Sequence, residues 1–370
     1  MSCDFLALAS EGIRGLSPYQ PGKPIDELAR ELGIEPESIV KLASNENPLG
    51  PSEKVLQAIS KALPEITRYP DGNGFILKDA LCKQFGIQPN QITLGNGSSD
   101  ILEFVVKCFA SAGDEVIYSQ HAFAIYGLVT RMVNAVSVVT PAKNFAHDLD
   151  AMANAVTAKT KIIFVTNPNN PTGTWIKKDE LLAFLNKVPK SVVVVLDEAY
   201  FEYVNEKEYP DGISLVAQFP NLVVARTFSK AYGLAALRVG YAVSNAQIAV
   251  ILNRVRPPFN VNSLALVAAA AALQDRYYVR QSVELNAFGM KQIIQGFEEL
   301  NIRYIPSVGN FIAFEVPEAG KVFQDLLQKG VIVRPIANYE MPGYLRVSIG
   351  TQAENMRFLV ALKEVLASHG

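Results

Sequence analysis

Ser191-Val192-Val193-Val194-Val195-Leu196-Asp197-Glu198-Ala199-Tyr200 is the stretch that decides the fold. Five apolar residues follow one another with no polar alternation, the pattern of a strand covered on both faces. The same texture recurs on either side. Apolar runs at 91–94, 115–119, 135–140, 161–166, 191–196, 221–226 and 239–243 make seven strands. Helical segments near 99–110, 123–133, 149–156 and 178–188 alternate with them. Strand–helix alternation predicts an α/β fold: a large domain whose mostly parallel seven-stranded sheet is sandwiched by helices. Ligands of such sheets bind beyond the carboxyl ends of the strands. Asp197 closes the central run, so it stands either as a cap for the next segment or as a charge held for a cationic ligand.

Outside this region the texture changes. Residues 1–40 are polar and turn-rich, with one amphipathic helix near 25–32 that Pro24 suits at its start. A helix near 53–62 precedes the loop Arg68-Tyr69-Pro70-Asp71-Gly72-Asn73-Gly74. After about residue 247 the chain becomes helical, with an alanine-rich segment at 262–273 and a long amphipathic one at 277–300. Strands at 311–315, 331–334 and 345–349 then mix with helices near 321–329 and 354–367. The expected division is an N-terminal arm at 1–40, a large domain at 41–255 and a smaller α+β domain at 256–370 that the arm joins.

Composition bounds the function. In 370 residues, 49% are hydrophobic and 19% charged, which describes a packed globular chain. The formal net charge of −2 gives no electrostatic footprint for nucleic acid or an anionic membrane. Cys3, Cys82 and Cys108 make neither a disulfide framework nor a metal spacing, and His121, His147 and His369 do not cluster with them, so no metal is expected. The first ten residues lack a basic leader and no run approaches the ~20 apolar residues of a membrane span. A cytoplasmic setting is the expectation.

Three further motifs surround the strands. Thr227-Phe228-Ser229-Lys230-Ala231-Tyr232-Gly233-Leu234 puts a lysine at a strand exit, with Arg238 eight residues on. A lone lysine there is a solvated loop residue; a desolvated one has a lowered pKa and suits Schiff-base chemistry. Gly95-Asn96-Gly97-Ser98-Ser99-Asp100 lies between a strand and a helix, as a plain capped helix start or as a phosphate cradle. Asn167-Pro168-Asn169-Asn170-Pro171-Thr172-Gly173 is a tight turn at a strand's carboxyl end, where a ligand site also falls. One cofactor asks for all of these parts together. Pyridoxal phosphate needs a lysine, an acid against its ring nitrogen and an anion site.

In the order Asn170, Asp197, Tyr200, Lys230, Arg238, Arg346, the chain resembles the fold-type I pyridoxal-phosphate-dependent aminotransferases over nearly its whole length. The resemblance implies that Lys230 holds the cofactor and shuttles a proton, and that Asp197 keeps the ring nitrogen protonated. Tyr200 and Asn170 would bond the phenolic oxygen. Gly97, Ser98, Ser99, Thr227, Ser229 and Arg238 would hold the phosphate. Phe123 would stack on the ring, unless it is ordinary core packing. Within that family the segments Ser17-Pro18-Tyr19, Ser44-Asn45-Glu46-Asn47-Pro48, Arg68-Tyr69-Pro70, Arg256-Pro257-Pro258-Phe259-Asn260-Val261 and Leu345-Arg346-Val347-Ser348 resemble the histidinol-phosphate aminotransferases. That likeness implies a homodimer in which Tyr69 crosses to the neighbour's cofactor phosphate. It also implies a substrate site of Tyr19, Asn47, Arg334 and Arg346 for histidinol phosphate, 2-oxoglutarate and glutamate. Two arginines suit a phosphate dianion; the alternative for Arg334 is a pairing with a local acid. His121-Ala122-Phe123 departs from the Pro-Thr-Tyr form of that segment, which leaves an aromatic amino-acid aminotransferase and a threonine-phosphate decarboxylase as rival activities. The reading from another class is a non-catalytic cofactor-binding regulator, which the chain leaves no room for before residue 40.

Overall fold

A computed structural model describes residues 3–18 and 21–369. The large sheet has seven strands: β1 (Ile92–Gly95), β2 (Glu115–Ser119), β3 (Val136–Thr140), β4 (Thr160–Thr166), β5 (Val193–Asp197), β6 (Leu222–Thr227) and β7 (Gly240–Ser244). Their order across the sheet is β1-β7-β6-β5-β4-β2-β3. β7 runs antiparallel to both neighbours, and the other pairs are parallel. Each of the seven expected strands is present, with ends displaced by no more than two residues.

The apolar run of β5 is explained by packing on two faces. Val193 and Val195 point into a core with Phe164, Val223 and the helices Ser98–Phe109 and Ile125–Met132, while Val194 and Leu196 join the core on the opposite face. Full burial of each such side chain contributes about 1.5–3 kcal/mol. One charge lies among them. Arg226 on β6 is buried, donates Nε–H to Glu198 Oε2 at 2.9 Å and pairs with Asp211 at 2.7 Å. A guanidinium is tolerated there only because both partners and the Phe201 ring, 3.5 Å away, enclose it.

The helices that matter to the site are α1 (Ile25–Leu32), α2 (Glu53–Ala62), α3 (Phe75–Phe85), α4 (Ser98–Phe109), α5 (Ile125–Met132), α6 (Ser263–Gln274) and α7 (Arg276–Glu299). A second sheet, antiparallel throughout, has the order β8-β9-β11-β10 with β8 (Tyr304–Ile305), β9 (Phe311–Glu315), β10 (Arg334–Pro335) and β11 (Tyr344–Ser348). It has its own core, in which Phe314, Val347 and Phe358 meet.

Two packing arrangements differ from the sequence expectation. Residues from 256 onward were placed with the smaller domain, yet α6 packs on α2 and α3 and shares the large-sheet core through Ala265, Leu266 and Ala269. An alanine-rich helix with no polar face is buried on all sides, and composition does not say against which sheet. The change of core falls along α7, which starts against the large core at Val279 and ends in the small one at Ile293 and Phe297. The N-terminal arm also divides. α1 packs Leu28 and Ala29 on Leu327 and Ile332, and Val40–Lys41 pairs in parallel with Val331–Ile332. The short helix Glu11–Arg14 instead meets α5, and Gly12 N–H donates to Asn134 Oδ1.

Candidate active site

The carboxyl ends of β4, β5 and β6 lie side by side, with Thr166 opposite Asp197 and Asp197 opposite Ala225. A cavity of about 340 Å³ opens there, between the two sheets. Lys230 enters it from the turn after β6. That turn is fixed by three bonds: Ser229 N–H to Thr227 Oγ1 (3.1 Å), Phe228 N–H to Val239 O (3.1 Å) and Gly233 N–H to Lys230 O (2.9 Å). Gly233 closes the turn at φ +70°, a conformation suited to glycine. Lys230 Nζ donates to Ser44 O at 3.0 Å. Burial, then the Arg346 guanidinium and more weakly that of Arg238, push the Lys230 pKa down to about 8. Roughly a fifth of the amine is therefore neutral near physiological pH, where an ordinary lysine is almost wholly charged.

Asp197 is buried at the end of β5. Its Oδ2 accepts the Tyr126 hydroxyl at 2.9 Å, and its Oδ1 is buried with no hydrogen-bond partner among the described residues. Burial raises its pKa to about 6, against the opposing pull of the Tyr126 hydroxyl, the Ala199 amide and Lys230. A buried polar atom without a partner is costly and marks the place of a missing donor.

Tyr200 accepts from Asn45 Nδ2 (2.9 Å) and Asn170 Nδ2 (3.1 Å), so its own proton is left for a third group. Burial holds it in the phenol form, with its pKa pushed up to about 12. Asn170 Oδ1 in turn accepts from Arg346 Nη1, and Arg346 Nη2 donates to Ala43 O at 2.8 Å. Arg334 and Arg346 are register partners on β10 and β11, both buried and both lining the cavity.

At the remaining side of the cavity α4 begins. Gly97 is its N-cap at φ +80°, followed by Ser98 and Ser99. A Cβ on Gly97 would lie 2.5 Å from Arg238 Nη2, so only glycine lets that guanidinium approach the helix start. Thr227 Oγ1 and Ser229 Oγ are 3.0 Å apart and Arg238 Nη1 reaches Ser229 Oγ at 3.4 Å. A helix N-terminus, two hydroxyls and an arginine together make an anion cradle. Phe123 lines the same cavity and meets Tyr126 edge-on at 6.0 Å.

Two expected residues stand apart. Tyr69 is 83% exposed and stacks on Phe259 at 4.8 Å, away from the cavity of this chain. Asn47, expected at the substrate, instead bonds Ala231 O (3.0 Å) and Ser282 Oγ (2.8 Å), and so anchors the loop that follows Lys230. Tyr19 lies outside the described residues. Asn45 and Tyr126 belong to the site and were not singled out from the sequence. Asn45 falls in the Ser44–Pro48 segment that carries the family likeness, and Tyr126 stands three residues after Phe123 at the start of a helix. No group of three His, Cys, Asp or Glu side chains that could hold a metal ion occurs among the described residues.

The donor set fits pyridoxal phosphate part by part. The orphaned Asp197 Oδ1 suits a ring N–H, the Lys230 amine an aldehyde, Tyr200 and Asn170 a phenolic oxygen, and the α4 cradle a phosphate. Set at the carboxyl edge of this sheet, they define a pyridoxal-phosphate-dependent enzyme of fold type I. A family model, aminotransferase class I and II, matches residues 37–362, and the chain belongs to that family.

Among known proteins, the chain is 59% identical over 368 residues to histidinol-phosphate aminotransferase 2 of Pseudomonas fluorescens, covering 99% of this chain and 100% of that one. It is 58% identical over 365 residues to the protein of the same name from Pseudomonas aeruginosa, covering 98% and 99%. Among solved structures it matches histidinol-phosphate aminotransferase from Sinorhizobium meliloti in complex with pyridoxal-5'-phosphate. That match has a TM-score of 0.90, 28% identity and 98% coverage of each chain.

Proposed function

We propose that this protein transfers the amino group of histidinol phosphate to 2-oxoglutarate, giving imidazole-acetol phosphate and glutamate, as a step of histidine biosynthesis. The observation that carries the substrate assignment is the buried pair Arg334 and Arg346, register partners beside Lys230 in the cavity. Two guanidiniums balance a phosphate dianion, and the same pair receives the carboxylates of glutamate and 2-oxoglutarate. The 58–59% identity to proteins that bear the histidinol-phosphate name supports the same reading.

Bound pyridoxal phosphate supplies the carbonyl and the electron-withdrawing ring. The protein's residues do the rest. Lys230 Nζ would hold the cofactor and, as a neutral amine, would take up and give back the proton at the substrate's α-carbon. Asp197 Oδ1 holds the proton on the ring nitrogen. Tyr200 and Asn170 orient the phenolic oxygen, while the α4 cradle and Arg238 fix the phosphate end. Arg334→Ala is expected to lower kcat/KM for histidinol phosphate by about tenfold to a hundredfold, the worth of one charged contact, and to lower it less for phenylalanine. Equal losses on both substrates remove Arg334 from the phosphate site, and turnover of threonine phosphate without 2-oxoglutarate overturns the transferase assignment.

The reading includes a homodimer. Its support is the exposed apolar surface around Tyr69, where Phe75 is 73% exposed and Ile66, Ile76 and Phe259 are also open. Such a patch on one chain asks for a cover. Tyr69 then reaches the partner's cofactor phosphate, and the cytoplasm is the setting. Tyr69→Phe is expected to leave the dimer intact in sedimentation and to weaken cofactor binding by about tenfold. A monomeric wild type, or an unchanged cofactor affinity, refutes it.

A further inference from the structure

Tyr126 is wholly buried at the start of α5 and forms no part of the reaction as described so far. Its phenol oxygen has two neighbours: Asp197 Oδ2 at 2.9 Å and Thr166 Oγ1 at 2.6 Å. An ionised carboxylate only accepts, so the phenol must donate its single proton to Asp197. The Thr166 hydroxyl must then donate to the phenol. The chain Thr166 to Tyr126 to Asp197 therefore runs in one direction. Its ends are held by the sheet, because Thr166 and Asp197 are register partners on β4 and β5. The ring is held as well, stacked on Phe164 with centroids 4.4 Å apart and planes 5° from parallel. Two further rings meet it, Phe123 edge-on at 6.0 Å and Tyr118 tilted at 6.2 Å.

We propose that Tyr126 is a positioning residue for the cofactor: its hydroxyl determines which carboxylate oxygen of Asp197 is left for the ring nitrogen, and its ring supports Phe123 against the cofactor's face. The proposal rests on the pyridoxal-phosphate reading of the cavity. Rotation of the Asp197 carboxylate breaks the bond to Tyr126, so the bond selects Oδ1 as the free oxygen. It also opposes the burial that pushes Asp197 toward its neutral form. Tyr126 keeps its own proton throughout, because burial and the neighbouring Asp197 charge both hold its pKa far above the ordinary value. The other titratable groups that act on Asp197 are Lys230, Tyr200 and Tyr209. None of these replaces the lost donor: among the described residues the one side-chain hydrogen bond to Asp197 Oδ2 comes from Tyr126, and the Ala199 amide that also acts on the carboxylate is the same in both proteins.

The test is Tyr126→Phe in the cofactor-loaded enzyme, a change that keeps the ring and removes one oxygen. The cofactor dissociation constant is expected to rise about tenfold, as for one lost bond to a charged group. The midpoint of the pH-dependent change in the bound cofactor's visible absorption is expected to move upward. A donor dipole has been removed, and the more negative site retains protons longer. In an Asp197→Ala background the same substitution is expected to add nothing, since its target is gone. A visible band in the wild type whose midpoint does not move in Tyr126→Phe overturns the role of Tyr126 alone. So does an undiminished effect in the Asp197→Ala background, which would make the residue merely structural. A wild type that develops no visible band with pyridoxal phosphate removes the cofactor reading, and this proposal with it.

Discussion

Lys230→Ala lowers kcat by about 10⁴-fold or more, because it removes the group that moves the α-proton as well as the cofactor's anchor. The purified variant still takes up pyridoxal phosphate, since the cradle of Gly97, Ser98, Ser99, Thr227, Ser229 and Arg238 is untouched. Borohydride then fixes the cofactor to the wild type and not to the variant, which a mass measurement reads directly. In the wild type the rate of attachment to cofactor-free protein rises with pH through a midpoint of about 8, where the Lys230 amine loses its proton. An ordinary lysine, at 10.5, would place that midpoint over two units higher. Full turnover in the variant, or an attachment rate still climbing at pH 10, ends the assignment of Lys230.

Asp197→Ala lowers kcat by about 10²–10³-fold, the usual cost of removing one preorganised electrostatic partner. Cofactor affinity falls much less, because the phosphate end supplies most of the grip. Stability moves the other way. In the cofactor-free protein the Asp197 pKa stands at about 6 against 3.8 for an ordinary aspartate. A raised carboxyl pKa contributes stability below about pH 3.8 and loses it as pH rises through about 6. The ionised, partly satisfied carboxylate thus costs about 3 kcal/mol at neutral pH. Asp197→Asn is expected to raise the cofactor-free Tm at pH 7, with little change at pH 4. A rate equal to wild type in the alanine variant means the ring nitrogen is paired elsewhere; an unchanged Tm at pH 7 means the carboxylate is not under strain.

Much of this architecture could be read from the sequence because β5 and its neighbours are buried on both faces, leaving short runs rich in β-branched residues between helical segments. The anion cradle and the lysine turn were legible for a similar reason: each is a local device, complete within a few residues. What escaped was non-local. α3 was not expected, because the open Phe75 and Ile76 blur the stripe of Leu77, Ala80, Leu81 and Phe85 that packs on the large core. Asn45 touches Tyr200 across 155 positions, and Tyr126 touches Asp197 across 71. Neither pairing has a sequence signal. Asn47 is expected at the substrate from the family likeness of the Ser44–Pro48 segment, yet it is Asn45 that reaches Tyr200, while Asn47 bonds Ala231 O.

The two arginines belong to the antiparallel sheet, whereas the lysine and the aspartate belong to the parallel one. On the proposed reading, choice of molecule and execution of chemistry are built on separate foundations. Natural variation along the 334–346 hairpin can retune selectivity without loosening the hydrophobic layers beneath Lys230. Arg346, tied to Asn170, is one link between them, and His121 with Tyr339 O and Gln120 with Glu340 are others. A mutational library meant to recruit new amines would therefore randomise the rest of the hairpin and leave those tethers in place.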